Sequence, residues 1–295
     1  MGQRSCAELN VPPVSAKSMP GIESTDSESA RHDREAVFHD AWAADTKLED
    51  VHVRECFEAP TALENRFILS KMGNLAGKAV LDIGAGLGES SVYFALQGAR
   101  VTTTDISPMM VEKIRQLASR FGVQVRGIVA TAEALNVPEN HFDFVYIANT
   151  IHHIYDRDQL FRQIHKALKP GGMFFSFDPL AYNPIINVYR RMATEVRTPD
   201  EMPLTRADLR LARNYFNNVG HCEFWIASLM LFAKYYVLDR VHPNADRYWK
   251  RILKETRQSL RWWRPLLLLD SILSRLPGIR FLAWNIVMWG QKAES

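Results

Sequence analysis

The segment Ala79-Val80-Leu81-Asp82-Ile83-Gly84-Ala85-Gly86-Leu87-Gly88 determines the fold class of this chain. Its first five residues have the apolar character of a buried strand, and a loop with three glycines follows at once. Gly84 and Gly86 allow backbone angles that are costly for other residues, and they let a ligand lie against bare backbone. Because a helix is predicted from about Gly88 to Gln97, the segment has the order of a ligand-binding edge in an α/β sheet.

The alternation of strand and helix continues beyond this segment as far as residue 177. The pattern predicts helices from Ser107 to about Phe121 and from Asp156 to Leu168. Further strands are predicted at four places, which are Arg100–Asp105, Val123–Val129, Phe142–Ala148 and Met173–Phe177. Strands that alternate with helices predict an α/β fold with a mostly parallel, doubly wound, Rossmann-like sheet.

The segments on either side of this alternation differ from it in character. Residues 1–31 are rich in Ser, Pro and Glu and lack apolar periodicity, which predicts a disordered tail. Residues 32–74 are predicted as an N-terminal helical cap and residues 75–180 as the Rossmann-like core. Residues 181–295 are predicted as an acceptor-cap region with a basic helical insert and two closing strands, at Glu223–Leu231 and Ala283–Trp289.

The composition excludes several classes of protein. With 295 residues, of which 47% are hydrophobic and 23% charged, the chain has an ordinary globular composition. A net charge of +3 is too small to indicate nucleic acid as a partner. Cys6, Cys56 and Cys222 are odd in number and far apart, so they indicate neither a disulfide framework nor a zinc site. No signal peptide or membrane-spanning run is apparent, and we expect a cytoplasmic location.

The glycine spacing distinguishes between two kinds of adenine cofactor. A dinucleotide loop has the pattern G-x-G-x-x-G, whereas here the third glycine comes one residue earlier and Glu89 follows it. A carboxylate there would repel a pyrophosphate, but it suits a ligand with an amino group and a sulfonium charge. Asp82 could receive that cation. Asp105 ends the second strand about twenty residues after the glycines, where a ribose-binding acid is expected.

Together these motifs resemble the class I S-adenosylmethionine-dependent methyltransferases, in the small-molecule branch of the ubiquinone and menaquinone type. The similarity covers about residues 75–180. It rests on the glycine loop, on Asp105 and on three later motifs, Ala132-Glu133-Ala134-Leu135-Asn136-Val137-Pro138, Phe142-Asp143 and Leu168-Lys169-Pro170-Gly171-Gly172. The resemblance implies S-adenosylmethionine as the cofactor and a seven-stranded sheet whose C-terminal strand is antiparallel.

The resemblance also implies roles for individual residues around the cofactor. Gly84, Ala85 and Gly86 would line its methionine part, with Gly88 at the start of the next helix. Asp105 would bind the ribose. The other implied contacts are Ile106 beside the adenine, Thr131 and Ala132 near the adenine amino group, and Asn149 at the methionine end.

Methyl transfer is an in-line displacement that needs alignment, and an oxygen or carbon acceptor must also lose a proton. The adjacent pair His152-His153, just beyond the fourth strand, is the candidate general base. The alternative is that one or both histidines only pack or bind backbone. We predict no metal site, because His152, His153 and Asp156 in one short loop are too few and too close in sequence.

Residues 246–284 form a basic, tryptophan-rich stretch that the core fold does not require. Its apolar residues at helical spacing include Trp249, Ile252, Leu253, Leu260 and Trp263. A helical cap that joins the core is the favoured interpretation, and peripheral contact with an anionic membrane or a dimer interface are alternatives. Earlier in this region, Arg190, Arg191 and Arg197 could bind an acidic acceptor, but a solvated helix face is favoured.

The sequence therefore predicts a methyltransferase for a small, partly hydrophobic acceptor of the lipid, quinone or natural-product type. A non-catalytic protein that binds the adenosyl cofactor remains an alternative, because the family has no universal catalytic residue. An NAD-dependent oxidoreductase is less favoured on the glycine spacing. A nucleic-acid methyltransferase is disfavoured because the motif for a flipped base is missing. The sequence leaves the acceptor and the oligomeric state open.

Overall fold

The computed structural model describes residues 28–194, 197–198, 201–244, 248, 251–252 and 256–294. Within them lies a seven-stranded sheet in the order β3-β2-β1-β4-β5-β7-β6. Its strands are β1 (Ala79–Ile83), β2 (Arg100–Asp105), β3 (Val125–Val129), β4 (Phe142–Ala148), β5 (Leu168–Pro179), β6 (Asn217–Phe224) and β7 (Asn285–Gln291). Strands β1 to β5 pair in parallel, and β7 is antiparallel to β5 and β6. The predicted Rossmann-like fold is confirmed.

Helices lie before, between and after these strands. They are α1 (Glu28–Asp45), α2 (Glu55–Glu58), α3 (Leu63–Met72), α4 (Glu89–Leu96), α5 (Pro108–Arg120), α6 (Arg157–Ala167), α7 (Pro184–Met192), α8 (Arg206–Ala212), α9 (Met230–Val237) and α10 (Thr256–Leu273). Short 3-10 turns lie at Leu48–Asp50, Ile151–His153 and Ile279–Leu282. No helix of the described residues has the length and apolar content that are needed to cross a bilayer.

The side chains of β1 alternate between two apolar cores, one on each face of the sheet. Val80 belongs to the core that contains Phe94, and Leu81 belongs to the core that contains Phe161. Successive strand residues point to opposite faces, so a strand between two cores is buried along its whole length. Each large side chain buried in this way contributes about 1.5–3 kcal/mol. Two covered faces explain the almost continuous apolar runs in the sequence.

The helix starts follow from local signals in the sequence. Ser107 precedes α5 and accepts a hydrogen bond from the Met110 N–H at 2.9 Å, with Pro108 in the first helical position. Asp156 accepts from the Gln159 N–H at 2.9 Å and so starts α6. Thr205 and Asp208 form a capping box at the start of α8. Each cap satisfies backbone N–H groups that a helix leaves unpaired.

Strands β3 and β7 each begin two residues later than predicted, and two other predicted strands differ more from the structure. Strand β5 starts at Leu168 rather than Met173, because the Lys169–Gly172 segment joins it across a register shift beside Phe142 and Phe144 of β4. The predicted strand Glu223–Leu231 is wrong after Phe224. Trp225 has a φ of +70°, which ends the extended backbone of β6, and the next apolar residues form α9. A short apolar run does not by itself distinguish strand from helix.

The flanking regions are helical, with shifted limits. Helix α1 begins at Glu28, so its first four residues lie within the segment predicted as the tail, and residues 1–27 lie outside the described residues. Between β6 and β7, the Trp263 ring is buried, and its centroid lies 5.4 Å from that of the Trp225 ring. This part of the insert therefore joins the core, in agreement with the favoured interpretation. The predicted positions Trp249 and Leu253 lie outside the described residues.

Candidate functional site

A cavity of about 390 Å³ lies at the carboxyl edge of the sheet, beside the loop that follows β1. The strand order reverses between β1 and β4, since β2 and β3 continue to one side and β5 to the other. In open α/β sheets, ligands bind at this switch point. Residues of α1 and α7 also line the cavity. It therefore extends from the glycine loop toward regions that are distant in the sequence.

The cavity brings together the predicted cofactor residues with one exception. Its lining includes Asp82, Gly84, Ala85, Gly86, Asp105, Ile106, Thr131, Ala132 and Asn149. Gly88 is outside this lining. It starts α4 with a φ of +91°, and a Cβ there would come within 2.8 Å of Ile114 Cγ1. The packing of α4 on α5 therefore explains the glycine at this position, and a contact of Gly88 with the cofactor stays a prediction.

Two glycines of the loop are required for different reasons. Gly84 has a φ of +65°, and a Cβ added to it would lie 2.5 Å from the Thr150 side chain. Gly86 has a φ of +55°, but nothing lies within 4 Å of the place where its Cβ would be. Gly84 thus allows close packing, whereas Gly86 leaves open space beside bare backbone.

Asp105 connects the end of β2 to the glycine loop. Its carboxylate accepts the Gly86 N–H at 2.9 Å and the Ser107 N–H at 3.0 Å. Burial raises the pKa of Asp105, although these backbone hydrogen bonds oppose the shift. A carboxylate offers about four acceptor positions. Acceptor capacity remains beyond the backbone contacts, so the side chain fits the predicted contact with the ribose.

Asp82 is a buried acid at the end of β1 on the cavity wall. Its Oδ2 accepts the hydroxyls of Ser90 and Ser91, each at 2.6 Å. Burial raises the pKa of Asp82 to about 6, and the charges of Asp105 and Glu89 add to the shift. A bound ammonium group would favour the charged carboxylate. The acids and the open space at Gly86 therefore fit a cofactor with a cationic amino-acid part and a ribose.

The predicted base His152 is held by an acid that the sequence analysis did not include. His152 Nδ1 lies 2.7 Å from Asp178 Oδ1, and Asp178 is fully buried at the end of β5. Burial raises the pKa of Asp178 to about 8 and lowers that of His152 well below its usual value. A histidine oriented by an acid is the arrangement of a general base.

His153 contacts a second group that sequence reasoning missed. Its Nδ1 lies 3.1 Å from Glu35 Oε1 of α1, and Thr198 donates to the same oxygen at 2.6 Å. Burial raises the pKa of Glu35, but hydrogen bonds and charge from His153, with hydrogen bonds from His39 and Thr198, outweigh burial and lower it. Glu35 is therefore charged at neutral pH and fixes α1 over the cavity.

The position of Asp178 had a usable signal, and that of Glu35 had none. Asp178 ends the strand next to β4, so the rule that functional groups meet at the carboxyl edge could have placed it beside His152. Glu35 lies 118 residues from His153 in a helix whose sequence looks like a simple cap.

A possible metal-binding group differs from the one considered in the sequence. Asp156 serves as the cap of α6, whereas ligand atoms of His152, His153 and Glu201 all lie within 4.8 Å of one another. These types of side chain could share a divalent cation. The absence of a metal site stays a prediction, and metal binding by these three side chains would contradict it.

The two cationic side chains nearest the cavity also differ from expectation. Arg190 and Arg197 line the cavity, whereas Arg191 is exposed on α7. Arg197 pairs closely with Glu201. The interpretation of all three as a solvated helix face therefore holds for Arg191 alone.

Comparison with known proteins agrees with this geometry. Residues 81–176 match the family model of a methyltransferase domain. A ubiquinone biosynthesis O-methyltransferase from Pseudomonas syringae is 35% identical over 152 residues. The aligned segment is 51% of this chain and 62% of the relative, so it spans less than two thirds of that protein.

Solved structures share the fold at low identity. Phosphoethanolamine N-methyltransferase 2 from Haemonchus contortus, in complex with phosphomonomethylethanolamine and S-adenosylhomocysteine, is 18% identical with a TM-score of 0.57. The match covers 88% of this chain and 60% of that one. The cyclase SpnF is 16% identical with a TM-score of 0.50, over 78% of this chain and 80% of that one. Residues 81–176 thus match a methyltransferase domain, and the chain is similar in fold to these solved structures.

Proposed function

We propose that this chain transfers the methyl group of S-adenosylmethionine to a small, partly hydrophobic acceptor. One observation carries the proposal. A single cavity joins the glycine loop, Asp82 and Asp105 at one end to the His152–Asp178 pair at the other. The first group fits the cofactor, and the second can accept a proton from the acceptor.

The residues of the chain contribute mainly by positioning. When bound, the cofactor supplies a methyl group that is activated by the sulfonium charge. Gly84 and Gly86 allow close approach to the backbone, while Asp105 and Asp82 fix the ribose and the amino group. Holding two reactants in line lowers a barrier by as much as about 7–11 kcal/mol.

We infer that the acceptor atom is a hydroxyl oxygen. The support is the sequence similarity to ubiquinone biosynthesis O-methyltransferases and the His152–Asp178 pair. In the tautomer whose Nδ1–H donates to the ionised carboxylate of Asp178, Nε2 of His152 is free to accept the hydroxyl proton. The lowered pKa of His152 keeps its ring neutral near pH 7, as a base requires.

Direct binding and turnover measurements test this proposal. Calorimetric titration with S-adenosylmethionine, S-adenosylhomocysteine and NAD should show binding of the first two only. Radiolabelled S-adenosylmethionine should then label a catechol, with and without EDTA to test the group at His152, His153 and Glu201. Binding of NAD alone would overturn the proposal. Binding of S-adenosylmethionine without turnover on any hydroxylated acceptor would favour the non-catalytic alternative. The fold also occurs in the cyclase SpnF.

We also infer peripheral contact with an anionic membrane through the insert. The support is one face of α10, where Leu268, Leu269 and Ile272 are 67%, 43% and 54% exposed. Arg264 and Arg275 near the ends of this face are exposed as well. Apolar side chains beside cations are typical of helices that lie on anionic lipid.

Sedimentation with vesicles separates this contact from a solvent-exposed helix face. Vesicles with phosphatidylglycerol should bind the chain, vesicles of phosphatidylcholine alone should bind it less, and L268E/I272E should weaken binding to both. Equal recovery of wild type and variant in the supernatant would contradict the membrane contact.

A further inference from the structure

The guanidinium of Arg190 lies on the cavity wall, and the N–H donors of two of its three nitrogens are unpaired. Its Nη1 donates to the Leu180 carbonyl at 3.2 Å and to Asn187 Oδ1 at 2.9 Å. Its Nε and Nη2 are buried and have no hydrogen-bond partner among the described residues. A buried donor on a charged group is costly to leave unpaired. Such a group therefore indicates a partner that is not part of the described chain.

The two unpaired atoms form one recognition edge. In a guanidinium, the Nε–H and one Nη2–H lie in the plane of the group and point in parallel directions from one edge. This edge matches the two oxygens of a carboxylate, which accept two parallel hydrogen bonds. The Nη1 contacts hold the group so that this edge stays free, which reduces the ordering cost of binding.

The charge of Arg190 is also uncompensated among the described residues. The nearby acid Glu201 is close to Arg197, and no ion pair within the described segments includes Arg190. Burial lowers the pKa of Arg190 to about 9, and the charge of Arg197 adds to this shift. A buried cation without a counterion is unfavourable, so an incoming anion would be stabilised here.

The rest of this part of the wall is apolar and aromatic. Ile186 and Tyr189 lie on the same helix α7, and the Tyr189 ring is 5.2 Å from those of Phe232 and Tyr248. Trp225 and Trp284 line the same cavity. An anionic group at Arg190 would therefore be attached to a body with hydrophobic or aromatic character.

We propose that Arg190 is a specificity residue that binds a carboxylate of the acceptor through Nε and Nη2. The acceptor class is then an aromatic or otherwise apolar carboxylic acid that carries the hydroxyl to be methylated. This inference rests on the proposed function for placing that hydroxyl at His152. The same edge can also pair with two oxygens of a phosphate, which the test treats as a separate outcome.

Matched probes test the carboxylate directly in the chain saturated with S-adenosylhomocysteine. Calorimetric titration should show that 4-hydroxybenzoate binds at least about tenfold more tightly than 4-hydroxybenzamide, which has the same shape without charge. Arg190→Gln should remove most of this preference, and Arg190→Lys should keep part of it. Arg191→Gln changes the exposed neighbour on the same helix and should leave the preference intact.

Several results would overturn the inference. They are equal affinities for the acid and the amide in the wild type, an unchanged preference in Arg190→Gln, or no measurable binding of either probe. Tighter binding of phenyl phosphate than of 4-hydroxybenzoate would replace the carboxylate by a phosphate. Loss of S-adenosylhomocysteine binding in the wild type would instead contradict the proposed function.

Thermal unfolding of the ligand-free chain gives a readout that depends on neither cofactor nor acceptor. Arg157 is the matched buried arginine, because its Nη1 pairs with Asp208 at 2.6 Å. Arg157→Met should lower Tm by more than about 5 °C, since it leaves a buried acid unpaired. Arg190→Met should lower Tm by much less or raise it. Equal losses would show that the charge of Arg190 is already compensated within the ligand-free chain, which would overturn the proposed role.

Discussion

The contacts at the two ends of the cavity differ in how far apart their residues lie in the sequence. At the cofactor end, Asp105 accepts an N–H from Gly86, 19 residues away, and Asp82 accepts a hydroxyl from Ser90, 8 residues away. At the acceptor end, the contacts of Glu35 with His153 and Thr198 join residues 118 and 163 positions apart. A compact segment therefore forms the part that fits the methyl donor, whereas several distant elements form the part that would select the acceptor.

This difference means that the two ends should respond separately to substitution. Changes in the local segment should alter cofactor affinity, and changes around His152 should alter turnover with cofactor affinity retained. Substitutions at each end, measured for both cofactor affinity and turnover, test this separation.

Asp105→Ala should raise the Kd for S-adenosylmethionine at least about 100-fold. The variant loses the acceptor for the ribose hydroxyls and the anchor of the Gly86 N–H, and hydrogen bonds to a charged group contribute about 1.5–3 kcal/mol each. Isothermal titration measures the effect. Asp143→Asn is the control, because Asp143 binds Lys169 and the Ala79 N–H outside the cavity. A wild-type Kd in Asp105→Ala would contradict the ribose assignment.

His152→Gln and Asp178→Asn should each lower kcat about 100-fold or more while the Kd for S-adenosylmethionine changes little. General bases contribute about 10²–10⁴ in rate, and Asp178 orients the ring of His152. Single-turnover transfer and titration on the same samples separate the two quantities. His165→Gln, on α6 away from the cavity, should retain full turnover. Unchanged turnover in His152→Gln would remove the general base and leave positioning alone.

Gly84→Ala should destabilise the fold by about 2–4 kcal/mol, more than Gly86→Ala at about 1–2 kcal/mol. Both alanines would have to adopt a positive φ, but only the one at residue 84 would also meet Thr150, at 2.5 Å. Urea unfolding measures both values. Gly86→Ala should instead weaken cofactor binding, because its Cβ would enter the open space of the cavity. Equal stability losses would show that Thr150 can move away.

Lowering the pH should weaken cofactor binding through Asp82. Its pKa of about 6 means that the carboxylate gains a proton as the pH falls through 6, and the protonated form no longer attracts the ammonium group. The Kd should therefore be about tenfold higher at pH 5 than at pH 8. Asp82→Asn should bind more weakly and lose this pH dependence. An equally steep profile in Asp82→Asn would assign the titration to another group.

The cofactor end could be predicted from the sequence because its groups follow one another along the chain. The glycine spacing, Asp82 and Asp105 identify themselves by order and distance, and all three lie on the cavity as expected. The spacing also identified Gly88, but it does not show that Ile114 packs against this glycine. The same limit applies to the apolar run after Phe224, where the backbone of Trp225 turns and α9 begins.

The acceptor end required the folded chain. The sequence places His152 at a strand end, but only the sheet register puts Asp178 of β5 within 2.7 Å of it. Arg190 and Arg191 are neighbours with the same charge, and the packing of α7 buries one and exposes the other. No property of two adjacent arginines in a sequence distinguishes them, because burial depends on what the helix meets.

The sequence by itself determined the α/β class, the parallel core and the chemistry of the cofactor loop. These features depend on alternation, on backbone angles that favour glycine and on acids at fixed spacing, all of which are local. Tertiary structure decided which acid orients His152, which helix covers the cavity and which arginine keeps a free edge. Those features depend on contacts between segments that are far apart in the chain, and such contacts exist only once the two cores have formed around the sheet.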